Sequence, residues 1–90
     1  MAFTHEEGQI TKYVDDEAVG YIKYREIEDH TLDAYSTFVD ESQRGQGLAR
    51  QLVDELVEKA KQEDKKIKPT CPYVEDLFEK EPDTYKEISA

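Results

Sequence analysis

Residues 40–50 read Asp40-Glu41-Ser42-Gln43-Arg44-Gly45-Gln46-Gly47-Leu48-Ala49-Arg50. Two glycines stand just ahead of an apolar pattern with helical spacing. Glycine permits positive φ and lets a ligand approach the backbone closely. The first turn of a helix has unpaired N–H groups and the positive end of the dipole, so a phosphate or pyrophosphate is the matching anion. Arg44 adds a planar, permanently charged fork at the same place. In a chain of formal charge −10 that arginine stands apart. A tight loop with no ligand would also account for a bare Gly-x-Gly. A Walker loop is excluded, because no Gly-Lys-Ser/Thr follows; a dinucleotide fingerprint lacks its third glycine and its ribose-binding acid.

Something must hold this loop at a helix start. Leu48, Ala49, Leu52, Val53, Leu56, Val57 and Ala60 form one stripe at a 3.6-residue period, which predicts a helix over 47–63. Upstream the period is two. Gln9–Val14 predicts a first strand, residues 18–27 a second and Thr31–Val39 a third. Asp15-Asp16 and Glu28-Asp29-His30 supply the turns, and such short connections imply an antiparallel meander. The helix must lie on that sheet, since nothing else is large enough to cover its stripe.

Residues 66–71 predict a short strand parallel to the third, because a helix carries the chain back. Pro69 lacks an N–H, so this strand should lie at an edge or splay from its neighbour. Pro72 suits the first turn of a short helix with Val74, Leu77 and Phe78 on its apolar side. Pro82 breaks the pattern, and residues 85–88 form a tail that packs back on the core. The expected fold class is α+β, as one domain over residues 1–90. It has an antiparallel three-stranded meander, a long central helix, a splayed parallel strand and a short C-terminal helix.

Composition narrows the function. Nine aromatics argue against disorder in a chain with 12 basic and 22 acidic residues. An acidic chain without a broad basic patch is a poor nucleic-acid binder. No run of 18 apolar residues exists to span a membrane, and residues 1–7 lack the features of a signal peptide. One cysteine cannot staple the fold, which favours a reducing cytoplasm. His5 and His30 stand without a cysteine pair, so no structural zinc site is expected.

Arg44-Gly45-Gln46-Gly47-Leu48-Ala49 resembles the Q/R-x-x-G-x-G/A acetyl-CoA loop of the GNAT superfamily of N-acetyltransferases. More closely, the chain resembles the short single-domain branch sometimes called the YjdJ type. In that branch a His-Thr-x-Val strand end precedes the Arg-Gly-x-Gly loop, a long helix and a Lys-x-x-x-Cys strand. Here these pieces are Ser36-Thr37-Phe38-Val39, then Arg44-Gly45-Gln46-Gly47, then Lys66-Ile67-Lys68-Pro69-Thr70-Cys71-Pro72-Tyr73. The likeness covers about residues 17–86. Two positions depart from it. Ser36 replaces a histidine, and the family's His-Pro-x-Tyr appears as Glu81-Pro82-Asp83-Thr84-Tyr85, again without histidine.

The resemblance implies acetyl-CoA as acetyl donor. Its pantetheine arm would lie between two splayed strands, near Phe38 and Val39 on one side and residues 66–71 on the other. The diphosphate would rest on Arg44, Gly45, Gln46, Gly47, Leu48 and Ala49, and the thioester would point toward Cys71 and Tyr73. Tyr73 would give a proton to the leaving thiolate, or else cap the core. Cys71 would take the acetyl group first, or else serve as a small buried apolar group. Arg50 reaches a phosphate or simply faces solvent. Asp40, Glu41 and Glu75 are bases by position only, with surface solvation as their default. Residues 1–7 are too few for substrate-gripping helices, so the acceptor site should be open and suit a small amine or a protein terminus. A cationic acceptor would be attracted by the negative field. The lysines at 59, 61, 65, 66 and 68 suit a helix C-terminus, or steer CoA phosphates. A monomer or weak dimer is expected, without nucleic-acid or membrane partners. Two other readings remain open: a CoA-binding module without turnover, and an interaction domain using an exposed strand edge.

Overall fold

The structure, a computed structural model, describes residues 3–28 and 30–90. Among these the strands are β1 (Phe3–Glu6), β2 (Gln9–Val14), β3 (Glu17–Glu26), β4 (Thr31–Val39) and β5 (Lys66–Pro69). A 3-10 turn (Glu41–Gln43) leads to α1 (Leu48–Gln62), and α2 (Pro72–Lys80) and α3 (Pro82–Tyr85) close the chain. The sheet order is β1-β2-β3-β4-β5, antiparallel except for the parallel β4/β5 pair. The α+β expectation holds, but the antiparallel part has four strands rather than three. The added strand, β1, pairs Phe3 with Lys12 and Glu6 with Gln9 across a two-residue turn.

Both turn expectations have physical counterparts. Asp15 and Asp16 take φ of 52° and 68°, the backbone of a two-residue hairpin whose twist suits its strands. At the next turn Asp29 lies outside the described residues. His30 has φ 60°, and the Thr31 N–H donates to the Glu28 carbonyl at 2.9 Å.

Helix α1 buries Leu48, Leu52, Val53, Leu56, Val57 and Ala60 in one cluster with Ile10, Ile22, Leu32, Ala34 and Ile67. Close approach is possible because β3 carries Gly20 under the helix. A Cβ there would lie 3.0 Å from Leu48 Cδ2 and 3.1 Å from the Phe38 carbonyl. Leu52 and Leu56 are fully buried, so truncating either to alanine costs about 2–5 kcal/mol.

The sheet divides at one point. β4 and β5 pair from Thr31↔Lys66 to Ala34↔Pro69, and the Cys71 N–H makes a further bond to the Ala34 carbonyl at 2.8 Å. From Tyr35 to Val39 β4 continues without β5, so the break expected at Pro69 is the base of a fork. The β3/β4 register shifts at the same level: Tyr24 pairs with Ala34, and Lys23 with Ser36. Tyr35 is therefore an extra residue, and a bulge of this kind bends and twists its strand.

Pro82 begins one turn of helix where only a break was expected. Tyr85 and Ile88 are buried, as expected for the tail. The Tyr85 ring stacks on Phe78 at 4.7 Å, and its hydroxyl donates to Asp54 Oδ1 at 2.8 Å. Residues 88–90 then cover the outer edge of β5. The Ile67 N–H donates to the Ile88 carbonyl at 2.7 Å, and the Ala90 N–H to the Ile67 carbonyl at 2.8 Å.

The two sheet faces differ. Cross-strand partners share a face, so Ile10, Ile22 and Thr37 line the α1 side. Tyr21, Lys23, Ser36 and Phe38 lie on the other. There the Tyr21 and Phe38 rings stack at 5.2 Å, with Phe38 40% exposed.

Candidate active site

The Gly-rich segment folds as its residue types dictate. Asp40 caps the 3-10 turn, accepting from the Ser42 N–H at 3.0 Å. Gly45 (φ +82°) and Gly47 (φ +77°) then take left-handed conformations, and a Cβ added at either would meet nothing within 4 Å. Open space therefore lies in front of both glycines. Gly47 is the N-cap of α1 and supplies no side-chain cap. The first intrahelical acceptor is the Gly47 carbonyl, bonded by the Gln51 N–H at 3.1 Å. The N–H groups of Leu48, Ala49 and Arg50 precede that bond and have no partner within the helix.

The Arg44 N–H donates to the Glu41 carbonyl at 3.2 Å, and its side chain donates from Nε to the Val39 carbonyl at 3.3 Å. Among the described residues it forms no ion pair. Arg50, one helical turn on, is already engaged. It donates from two guanidinium nitrogens to the Glu81 carboxylate at 2.6 and 2.8 Å, and its Nε lies 3.7 Å from Asp54. Of these two arginines, the one without an ion pair is at the glycines.

Val39, Gln43, Arg44, Gly45, Gly47, Leu48, Ala49 and Tyr73 line one cavity of about 220 Å³ at the mouth of the fork. The structure thus brings Tyr73 to the glycine loop, whereas the sequence reading set it beside Cys71 at the thioester end; Cys71 does not line this cavity. Burial pushes the Tyr73 phenol up, with Arg50 opposing and Asp54, Asp76 and Glu81 adding to it. At neutral pH it carries its proton. Gln46 is exposed and does not line the cavity. Phe38 turns its ring to the opposite face, so only its backbone faces the fork.

Cys71 is the N-cap of α2 and is buried, 7% exposed. Its thiol donates to Thr37 Oγ1 at 3.5 Å across the base of the fork. Sequence reading missed Thr37, because strand register is needed to see that it faces Cys71. Of the three candidate bases, Asp40 is committed to Ser42. Chiefly that side-chain hydrogen bond, then the Ser42 N–H, holds its carboxyl below the usual range, which makes it a poorer base. Glu41 and Glu75 are exposed.

The donors and space at the loop suit a diphosphate. Arg44 and the N–H groups from Gly45 to Ala49 would hold it.

A family model for GCN5-related N-acetyltransferases matches residues 9–88. The chain belongs to that family; it is an N-acetyltransferase domain, and the acetyl donor is acetyl-CoA. The solution NMR structure of a GCN5-like N-acetyltransferase candidate from Staphylococcus aureus aligns with a TM-score of 0.81 at 24% identity. The alignment covers 99% of this chain and 87% of that one. The ribosomal-protein-alanine N-acetyltransferase from Brucella melitensis gives a TM-score of 0.64 at 22% identity, covering 91% of this chain and 60% of its own. The aminoglycoside N-acetyltransferase AAC(6')-Iy, solved with CoA, gives 0.61 at 15% identity, with coverages of 79% and 63%. At these identities the likeness is one of fold. No curated protein matches the chain significantly in sequence.

Proposed function

We propose that the chain acetylates an exposed primary amine, on a small molecule or a protein terminus, at the fork between β4 and β5. The carrying observation is the cavity in which two left-handed glycines, an arginine without an ion pair and a protonated tyrosine meet. Arg44 and the first N–H groups of α1 hold the diphosphate, and Phe38 and Val39 offer backbone groups to the pantetheine arm. When bound, acetyl-CoA supplies an activated acetyl thioester. Tyr73 holds the proton that a departing thiolate needs. Cys71 has two routes open to it. In one its sulfur gains the acetyl group as the thiol proton leaves, and an amine then takes that acetyl and regenerates the thiol. In the other the amine attacks directly and Cys71 only lines the site.

Two features support an open acceptor side. β1 and β2 are joined by a two-residue turn, and on the sheet face opposite α1 the Phe38 ring is exposed. No helix among the described residues is long and apolar enough to cross a membrane. A buried free thiol fits a reducing cytoplasm, and we take the active form to be a monomer or weak dimer.

Acetyl-CoA at millimolar concentration should raise the melting temperature through linkage; no rise would refute the proposal. Intact-mass spectrometry then separates the routes. An adduct of about 42 Da that is lost in Cys71→Ala favours the covalent one. Steady CoA release with an amine and no adduct favours direct attack. A second reading, binding without turnover, is favoured by Ser36 and Glu81 at the two histidine positions. It predicts the same thermal shift with no amine-dependent CoA release.

A further inference from the structure

Asp33 is one of the few charged residues that the fold buries, with 5% of its surface exposed. It pairs with Arg25 on β3 and with Lys68 on β5, one residue before the fork opens. Its Oδ2 accepts from Arg25 Nε at 3.3 Å, and its Oδ1 accepts from the Thr70 hydroxyl. The Arg25 guanidinium in turn lies over the Tyr35 ring at 5.0 Å, at the bulge.

Thr70 sits at a kink. Its N–H turns back to the Lys68 carbonyl at 3.0 Å, while the next N–H, that of Cys71, reaches the Ala34 carbonyl. Thr70 therefore pins to β4 on the face of Arg25 and Lys23, and Cys71 pins to Thr37 on the α1 face. Two adjacent side chains grip the sheet from opposite sides at the base of the fork. The Cys71 N–H stays bonded to the Ala34 carbonyl, so releasing the Thr70 hydroxyl removes the grip on one face of the sheet and leaves this segment held from the α1 face alone. A carboxylate buried in this way is costly unless its hydrogen bonds are met. Losing the Thr70 donor is therefore felt on both strands.

We infer that Asp33 is a positioning residue for acetyl transfer: through Thr70 it fixes the Cys71 thiol and the opening of the fork. The inference rests on the reading above that Cys71 lies at the acetyl end of the site. Displacing a reacting group by about 1 Å costs up to roughly a hundredfold in rate, so a clip of this kind acts on turnover more than on cofactor binding.

The test uses Thr70→Val, Thr70→Ser, Asp33→Ala and Asp33→Asn in the full chain. The first readout is the rate of Cys71 alkylation by iodoacetamide in the protein without ligand, followed by intact mass from pH 6 to 10. Thr70→Val and Asp33→Ala should change that rate by about fivefold or more, and Asp33→Asn, whose amide nitrogen must face either Thr70 or Arg25, by more than Thr70→Ser, which keeps the hydroxyl–oxygen bond and should stay within about twofold. The second readout is turnover: kcat should fall about tenfold in Thr70→Val, with the KM for acetyl-CoA within about twofold. A purely structural role would lower the melting temperature without this split. An alkylation profile for Thr70→Val that matches the parent protein overturns the inference. Should Asp33→Ala fail to fold, Thr70→Val still decides, because it exchanges a hydroxyl for a methyl at an exposed position. Alkylation needs no turnover. A parent protein inactive toward every amine would therefore sink the acetyltransferase reading and leave the positioning claim to the alkylation result.

Discussion

The two ends of α1 carry opposite arrangements of charge. At the C-terminal end, His5, Glu6, Tyr24, Lys59, Glu63 and Lys65 help line a cavity of about 580 Å³, against about 220 Å³ at the glycine loop. The larger cavity is closed on itself electrostatically. Glu63 takes Lys59 at 2.5 Å and Lys65 at 2.9 Å; Lys65 also takes Glu26 at 2.9 Å, and His5 meets Glu55 at 3.0 Å. At the loop, an arginine and a row of N–H groups lack such partners. Volume alone would direct attention to the wrong end; unmet hydrogen-bonding capacity directs it to the right one. The same contrast decides the role of the lysines. They cluster in and just beyond the last turn of a 15-residue helix, roughly 22 Å from the glycines, and are largely engaged there. Steering of CoA phosphates by them is correspondingly weak.

Substitutions at the two ends test this contrast. The largest effect is expected for Gly47→Val. A β-branched residue at φ +77° is strained by about 1–2 kcal/mol and places atoms where the ligand must approach. The acetyl-CoA-induced rise in melting temperature should vanish. Next is Arg44→Ala, which removes a charge-assisted contact and should raise the Kd for acetyl-CoA about tenfold or more by calorimetry. Arg50→Ala, one turn along, should change that Kd by less than about threefold, because its guanidinium is held by Glu81; a loss equal to that of Arg44→Ala would erase the difference between the two arginines.

The smallest effect belongs to the distal end. Glu63→Gln should leave acetyl-CoA affinity unchanged and lower the melting temperature only slightly at pH 7. The side-chain bonds to Lys59 and then Lys65 hold the Glu63 carboxyl below its ordinary value. Its stabilisation is therefore present above the unfolded pKa and is lost as pH falls through the lower folded one. Parent and variant melting temperatures should converge below about pH 4. A difference that grows with acid would reverse the assigned sign.

What could be read from the sequence follows from how local each cause is. Strands β2 and β4 coincide with the alternating runs, and β3 differs by one residue at each end. The α1 stripe needed only its period. The loop was legible because its glycines, its arginine and the helix start are contiguous. β1 was missed because Phe3 is the one apolar residue in Phe-Thr-His-Glu; the strand depends on pairing with β2 and on His5 meeting Glu55, 50 residues away. The partners of Cys71, Asp33 and Arg50 were equally hidden. Thr37 faces Cys71 only once the Tyr35 bulge sets the register, Thr70 finds Asp33 across 37 residues, and Glu81 finds Arg50 across 31.

The last three residues also bear on how the protein can be handled. Ile88 and Ala90 stitch themselves along Ile67 and seal a strand rim that would otherwise offer free amides to another polypeptide. A purification handle fused directly after Ala90 would tug on that seam, whereas β1 leaves the opposite rim at the far side of the sheet. Removing residues 88–90 should favour self-association through the uncovered rim.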